Sequence, residues 1–189
     1  MASQQPPAPA PAAPPRPQGA PVTMAQKPPA APAPPADPRT TDLSSKLLVR
    51  FPAGKSDYVK ARRFKVTLPS QATAEAGAFL RDELGFNHIL AVSGTDYPAK
   101  KEIEVIYFVG SLKSGQEDLV AALAERTPRD APLVPSLVTI WPGAEYHERE
   151  TFEMLGVKFD GHPDMRGILL PEDWNDIPPL RKDFHSPGR

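Results

Sequence analysis

Apolar side chains recur along the 189-residue chain with two different periods, and each change of period marks an element. Residues 63–68 (RFKVTL) alternate Phe64, Val66 and Leu68 on one face, the period of a half-buried strand, and Pro69 ends it. Residues 46–51 (KLLVRF) also read as a strand. After Pro69 the period lengthens. Ala76, Phe79, Leu80 and Leu84 fall at helical spacing, Thr73 can cap that helix, and Gly85 supplies a left-handed stop. Residues 86–92 predict a short buried strand. Residues 103–109 (IEVIYFV) predict the strongest one, apolar on both faces after Glu104 and therefore central in its sheet. The next segment, GQEDLVAALAER, carries both periods: Ser114 and Glu117 have capping-box spacing, whereas Leu119, Ala121 and Leu123 alternate as a strand would. Local rules favour helix there. Residues 137–141 predict a last short strand, and Pro142-Gly143 turns the chain into a helix over Ala144–Leu155 that Gly156 closes. Strands and helices in this irregular order predict an α+β fold, a mixed sheet with a few packed helices.

Both ends depart from that pattern. Of the chain's 26 prolines, many fall in residues 1–41, where Pro and Ala dominate and few large side chains are available to bury. Such a composition cannot offset the entropy of ordering, so a disordered, partly polyproline II arm is expected. It has no apolar core of signal-peptide type. The α+β domain is expected over 42–156, followed by an extended tail over 157–189. That tail carries Val157, Phe159, Ile168, Leu169, Leu170, Trp174, Ile177, Leu180 and Phe184, more apolar surface than a merely flexible end has. Something should cover it.

Composition narrows the chemistry. With no cysteine the chain cannot form a disulfide, a thiolate zinc site or a cysteine-ligated iron–sulfur cluster. A formal charge of −1 gives no electrostatic reason for nucleic acid to bind, and the basic residues Lys60, Arg62, Arg63 and Lys65 read as a solvated strand face. No apolar run approaches the roughly 20 residues of a membrane-spanning helix. His147-Glu148 resembles the start of a zinc-protease motif, but Thr151 stands where the second histidine belongs. Asp160, His162 and Asp164 alternate as three ligands could, with Pro163 stiffening the chain between them. Gly110 and Gly115 have P-loop spacing, yet Gln116 and Glu117 follow in place of Lys and Ser or Thr. Glu148 and Glu150 point to different faces of a helix and cannot converge on one substrate. No catalytic, cofactor-binding or metal residue is therefore assigned. The structural reading uses more of the residues: Arg149 is four positions from both Glu145 and Glu153 and can bridge them, or can orient the helix against a partner.

The block Glu148-Arg149-Glu150, then Glu153-Met154-Leu155, His162, Arg166 and Ile168-Leu169, resembles the signature of the C subunit of respiratory complex I, the 30 kDa subunit family. The surrounding text, from VPSLVTIWPGAEYHERE to PLRKDF, is similar throughout. The resemblance implies a non-catalytic subunit of the hydrophilic arm of a proton-translocating NADH:quinone oxidoreductase. Iron–sulfur clusters and flavin would lie in partner subunits, and NADH and quinone would be substrates of the whole complex. It further implies a hetero-oligomer, peripheral on the cytoplasmic side of the inner (plasma) membrane, with a tail wrapping the subunit that helps form the quinone site. Glu148, Arg149, Glu150, Glu153, His162, Arg166, Trp174, Arg181, Lys182 and Asp183 would serve that interface. It also implies a strand, not a helix, over residues 118–126. Gly167 departs from the pattern, since relatives often carry a second basic residue there. Two other readings remain: the equivalent subunit of an energy-converting hydrogenase or other-donor dehydrogenase, and a free-standing module whose Pro-rich arm recruits aromatic-grooved domains.

Overall fold

Asp37 caps the first helix. In the computed structural model, which describes residues 35–186, its carboxylate accepts the Arg39 N–H at 2.8 Å and Pro38 occupies the first turn of α1 (Pro38–Arg50). Residues 46–51, expected as a strand, thus lie in and just after a helix. Thr40, Leu43, Ser44 and Leu47 fall on its buried face, while Val49 is 84% exposed. Residues 1–34 of the Pro/Ala-rich arm lie outside the described residues.

The order continues with β1 (Lys55–Val59), β2 (Arg63–Leu68), α2 (Ser70–Asp82), β3 (His88–Tyr97), β4 (Glu102–Gly110), β5 (Val120–Pro128), β6 (Leu133–Pro135), α3 (Ala144–Leu155) and β7 (Lys158–Asp160). The five-stranded sheet runs β1-β2-β5-β4-β3, with β2 and β5 parallel and the other neighbours antiparallel. β6 and β7 form a small parallel pair. The architecture is α+β with a mixed sheet. β4 is interior, as its apolar run predicts. β5 replaces the helix that local rules favour: pairing on both sides satisfies its backbone, and Ala121 and Leu123 bury on one face. Residues 137–141 form a turn, not a strand, closed by Trp141 N–H donating to the Leu137 carbonyl at 2.8 Å; the strand falls earlier, at β6. The second helix begins at Ser70, so Thr73 is inside it and caps nothing. Gly85 and Gly156 both take positive φ, the stops the sequence predicts.

Register lines place Val66, Leu123, Tyr107 and Val92 side by side, and Leu68, Glu125, Val105 and Gly94 in the next row. One core joins this face to Leu43 and Leu47 of α1, Ala76 and Leu80 of α2, and Ala144 and Leu155 of α3. Trp141 anchors the turn before α3 through its indole N–H, 2.9 Å from the Phe86 carbonyl. Glu125 interrupts this apolar face. It is 2% exposed and neither of its oxygens has a hydrogen-bond partner among the described residues. Burial pushes its carboxyl pKa up; the nearby Ser70 and Thr73 hydroxyls oppose this more weakly, and Thr73 Oγ1 is turned to the Pro69 carbonyl instead. On the opposite face buried Glu104 is flanked by Lys65 Nζ at 2.9 Å and Arg126 Nε at 3.3 Å, so its charge is compensated.

Candidate functional site

The signature stretch begins on α3 and doubles back along it. Glu148 is fully buried. Its Oε1 accepts from Tyr107 Oη at 2.9 Å and from the Leu137 N–H at 2.8 Å, and its Oε2 from Ser136 Oγ at 2.7 Å. Burial raises its pKa, more than these three donors lower it. Tyr107 is pushed up in turn, first by burial and then by the Glu148 carboxylate. Glu148 therefore faces the core of its own chain and ties α3 to β4 and to the turn after β6. A substrate has no access to it. Sequence reasoning missed Tyr107 and Ser136; the one signal was a lone phenol in the apolar run after Glu104, which a buried site obliges to find a partner.

Glu153, a turn further on, holds the tail. Its carboxylate accepts the backbone N–H groups of Ile168 (3.0 Å), Leu169 (2.7 Å) and Leu170 (2.8 Å). Partial burial raises its pKa, but the three amides together outweigh that and leave it lowered. A Cβ on Gly167 would lie 2.6 Å from Glu153 Oε1, so in this chain glycine lets the strap close. The bridges from Arg149 to Glu145 and Glu153 that the spacing predicts are not formed. Arg149 Nε donates to the Arg166 carbonyl at 2.8 Å, and its guanidinium lies 5.7 Å from the centre of the exposed Tyr146 ring.

The rest of the tail continues the strap. His162 accepts the Asp164 N–H at Nδ1 (3.0 Å), which leaves Nε2 as the N–H facing the Glu145 carbonyl at 3.2 Å. Arg166 pairs with Asp164, and this guanidinium holds the Asp164 carboxyl down to about 2. Arg181 Nε donates to the Leu155 carbonyl at 2.8 Å, at the end of α3. The Lys182 N–H donates to Asp96 Oδ2 at 2.9 Å, and Asp183 meets Arg129, which also pairs with Asp96 at 2.8 Å. Asp96 and Arg129 are not legible in the sequence, because they belong to β3 and to the chain just after β5, far from the tail in sequence. Trp174 lies 5.9 Å from Phe184 between ring centres, with its indole N–H unpartnered among the described residues. Glu150 is exposed. Between α3 and the strap runs a groove of about 730 Å³ lined by Arg149, Phe152, Leu170, Trp174 and Pro178 among others. Among the described residues no three His, Asp or Glu side chains group to hold a metal ion, and no helix is long and apolar enough to cross a membrane.

Fold and site together define a small α+β domain with a tail strapped to its last helix by carboxylate–amide and guanidinium–carbonyl contacts. The chain belongs to the family described as respiratory-chain NADH dehydrogenase, 30 Kd subunit, which it matches over residues 66–189, and is thus a subunit of the complex I family. It is 37% identical over 123 residues to the C subunit of NADH-quinone oxidoreductase from Chlorobium phaeobacteroides, covering 64% of this chain and 72% of that protein. It is 35% identical over 124 residues to the C subunit of F(420)H(2) dehydrogenase from Methanosarcina mazei, covering 66% and 77%. Two solved structures share its fold. One is a chain of the membrane-bound sulfane sulfur reductase, an archaeal respiratory membrane complex (TM-score 0.64, 24% identity, 77% of this chain and 85% of that one). The other is the trypsin-resistant fragment of Nqo5 (TM-score 0.57, 23% identity, 67% and 98%).

Proposed function

We propose that this chain is a docking subunit in the hydrophilic arm of a proton-translocating NADH:quinone oxidoreductase. It turns nothing over in isolation. Flavin and iron–sulfur clusters belong to partner subunits, NADH and quinone are substrates of the assembly, and the complex holds the chain at the cytoplasmic side of the cell (inner) membrane. Its neighbour is the subunit that helps form the quinone site. The observation that carries this reading is a division of labour along the tail. Polar groups of the signature stretch fix the strap to its own domain, while Ile168, Leu169, Ile177 and Leu180 stay exposed on it. An apolar row mounted in this way is built to be covered by another protein. The F(420)H(2) dehydrogenase relative supports a second reading, the same role with another electron donor, since the donor would be handled by other subunits.

The test is affinity purification of the tagged chain from gently solubilised native membranes. Wild type should bring a multi-subunit iron–sulfur assembly that reduces quinone with NADH, and the double variant Leu169→Asp, Leu180→Asp should come alone although it folds, since both side chains are exposed. Quinone reduction by F420H2 but not NADH would select the second reading. Wild-type chain recovered alone would reject both.

A further inference from the structure

Arg149 has five N–H donors, and among the described residues only Nε is used. The acids that helical spacing offers it are Glu145 and Glu153, and neither lies within 4.0 Å. Glu153 is near enough for the Arg149 charge to help lower its pKa, but its two oxygens accept three tail amides and take no hydrogen bond from the guanidinium. The oxygens of that carboxylate are thus engaged by the strap, and Nη1 and Nη2 have no hydrogen-bond acceptor among the described residues. The guanidinium is nonetheless held, by the Arg166 carbonyl on one nitrogen and by the Tyr146 ring beside it. A planar fork fixed in advance and short of acceptors matches a carboxylate bidentately, at little cost in ordering.

Its surroundings narrow the ligand further. Arg149 stands on the groove between α3 and the strap, whose volume of about 730 Å³ is within the usual range of binding cavities. Phe152, Leu170, Trp174 and Pro178 give that groove apolar walls. Of its acids, Glu153 is capped by the amides and Glu172 is exposed, while Arg166, whose side chain is 81% exposed, is already paired with Asp164 and leaves Arg149 as the lining cation that makes no ion pair among the described residues. The geometry points to a carboxylate-recognition site, in which Arg149 takes an Asp or Glu side chain from an extended acidic segment of a neighbouring subunit and the groove takes an apolar residue next to it. Arg149 and Trp174 on the groove, with Tyr146 beside the guanidinium, are of the residue types that dominate interface energetics. This site rests on the reading of the chain as an assembly subunit, and names the chemistry by which it is held.

The experiment places a photo-cross-linking benzoylphenylalanine at Tyr146 in the full chain, within native complex, and maps the attached peptide. It should fall on a neighbouring subunit, at a segment carrying Asp or Glu. Arg149→Met and Arg149→Glu should lower the yield of assembled complex by about tenfold or more, because removing one member of a desolvated charge pair costs more than a tenfold change in binding requires. Exchanging the charges, Arg149→Glu together with the mapped acid changed to Arg, should restore the yield; this arm decides even if Arg149→Met lowers the amount of folded chain. A cross-link to a segment without an acid, wild-type yield from Arg149→Met, or no recovery on charge exchange would each overturn the site. If the Leu169→Asp, Leu180→Asp chain loses the complex while Arg149→Met keeps it, the docking function stands and the carboxylate site falls. If wild type itself brings no partner, both fall.

Discussion

Glu125 and Glu153 show how differently one kind of side chain behaves in this fold. Glu153, with three amides on it, has a lowered pKa, so its hold on the strap is present above the ordinary carboxyl range and is lost as pH falls through the lowered value. Glu125 has no hydrogen-bond partner among the described residues and a raised pKa, so the sign reverses. Once pH passes the unfolded value of about 4.3, the unfolded chain ionises while the folded chain keeps its proton, and stability declines until the raised folded pKa is reached. Glu125→Leu removes that decline without leaving a large cavity. We expect it to stabilise the chain at pH 7.5 by about 1–3 kcal/mol, the usual cost of an unsatisfied buried polar group. The gain should shrink toward pH 4.5. Urea unfolding at the two pH values checks this, and an equal gain at both would show that the carboxylate finds a partner in solution.

At the scale of elements, α3 is positioned by contacts that only close packing permits. A side chain on Gly94 of β3 would overlap Leu155 Cδ1 of α3. Gly94→Val should therefore force the helix off the sheet and destabilise the fold by about 1–3 kcal/mol, the range for overpacking, read as a lower midpoint of chemical denaturation. Glu153→Ala should leave the global midpoint nearly unchanged while amide exchange at Ile168, Leu169 and Leu170 speeds up by about tenfold or more, because the strap opens locally. Both features were partly legible. The sequence shows α3 with its glycine stop, and it shows Glu153 on a helix face, but amides as partners of a carboxylate leave no trace in residue identity. Errors in the elements have equally physical origins. Residues 46–51 contain too few positions to reveal a helical period, which appears only when Thr40 and Leu43 are included, and composition alone places Thr40 in the arm. Of residues 118–126, those from Val120 onward are strand because β2 and β4 flank them, a fact of register that alanine content argues against locally, while Asp118 and Leu119 stay in the loop before it. Residues 137–141 are apolar because a buried turn holds Trp141 over the core, not because a ladder continues.

For the molecule as a whole, α1 begins ahead of residue 42, where the domain is expected to start, and what those earlier residues contribute can be tested. The Asp37 carboxylate caps α1, and Arg39 reaches across to Asp118, in the loop before β5, at 3.1 Å. Thr40 is fully buried, its Oγ1 lying 2.8 Å from both the Asp37 and the Lys60 carbonyl oxygens. A chain starting at Pro35 keeps every one of these contacts; a chain starting at Asp42 loses them all and leaves the Lys60 carbonyl without its hydroxyl. The shorter chain should be less stable by about 1–3 kcal/mol, from the lost cap and the lost buried hydrogen bond, and should yield less assembled complex. The chain from Pro35 should match full length in thermal midpoint and in co-purified quinone reductase activity, since the family match begins only at residue 66. If removing residues 1–34 abolishes assembly while the midpoint holds, the Pro/Ala-rich arm makes a contact of its own in the complex, and docking through the tail is not sufficient.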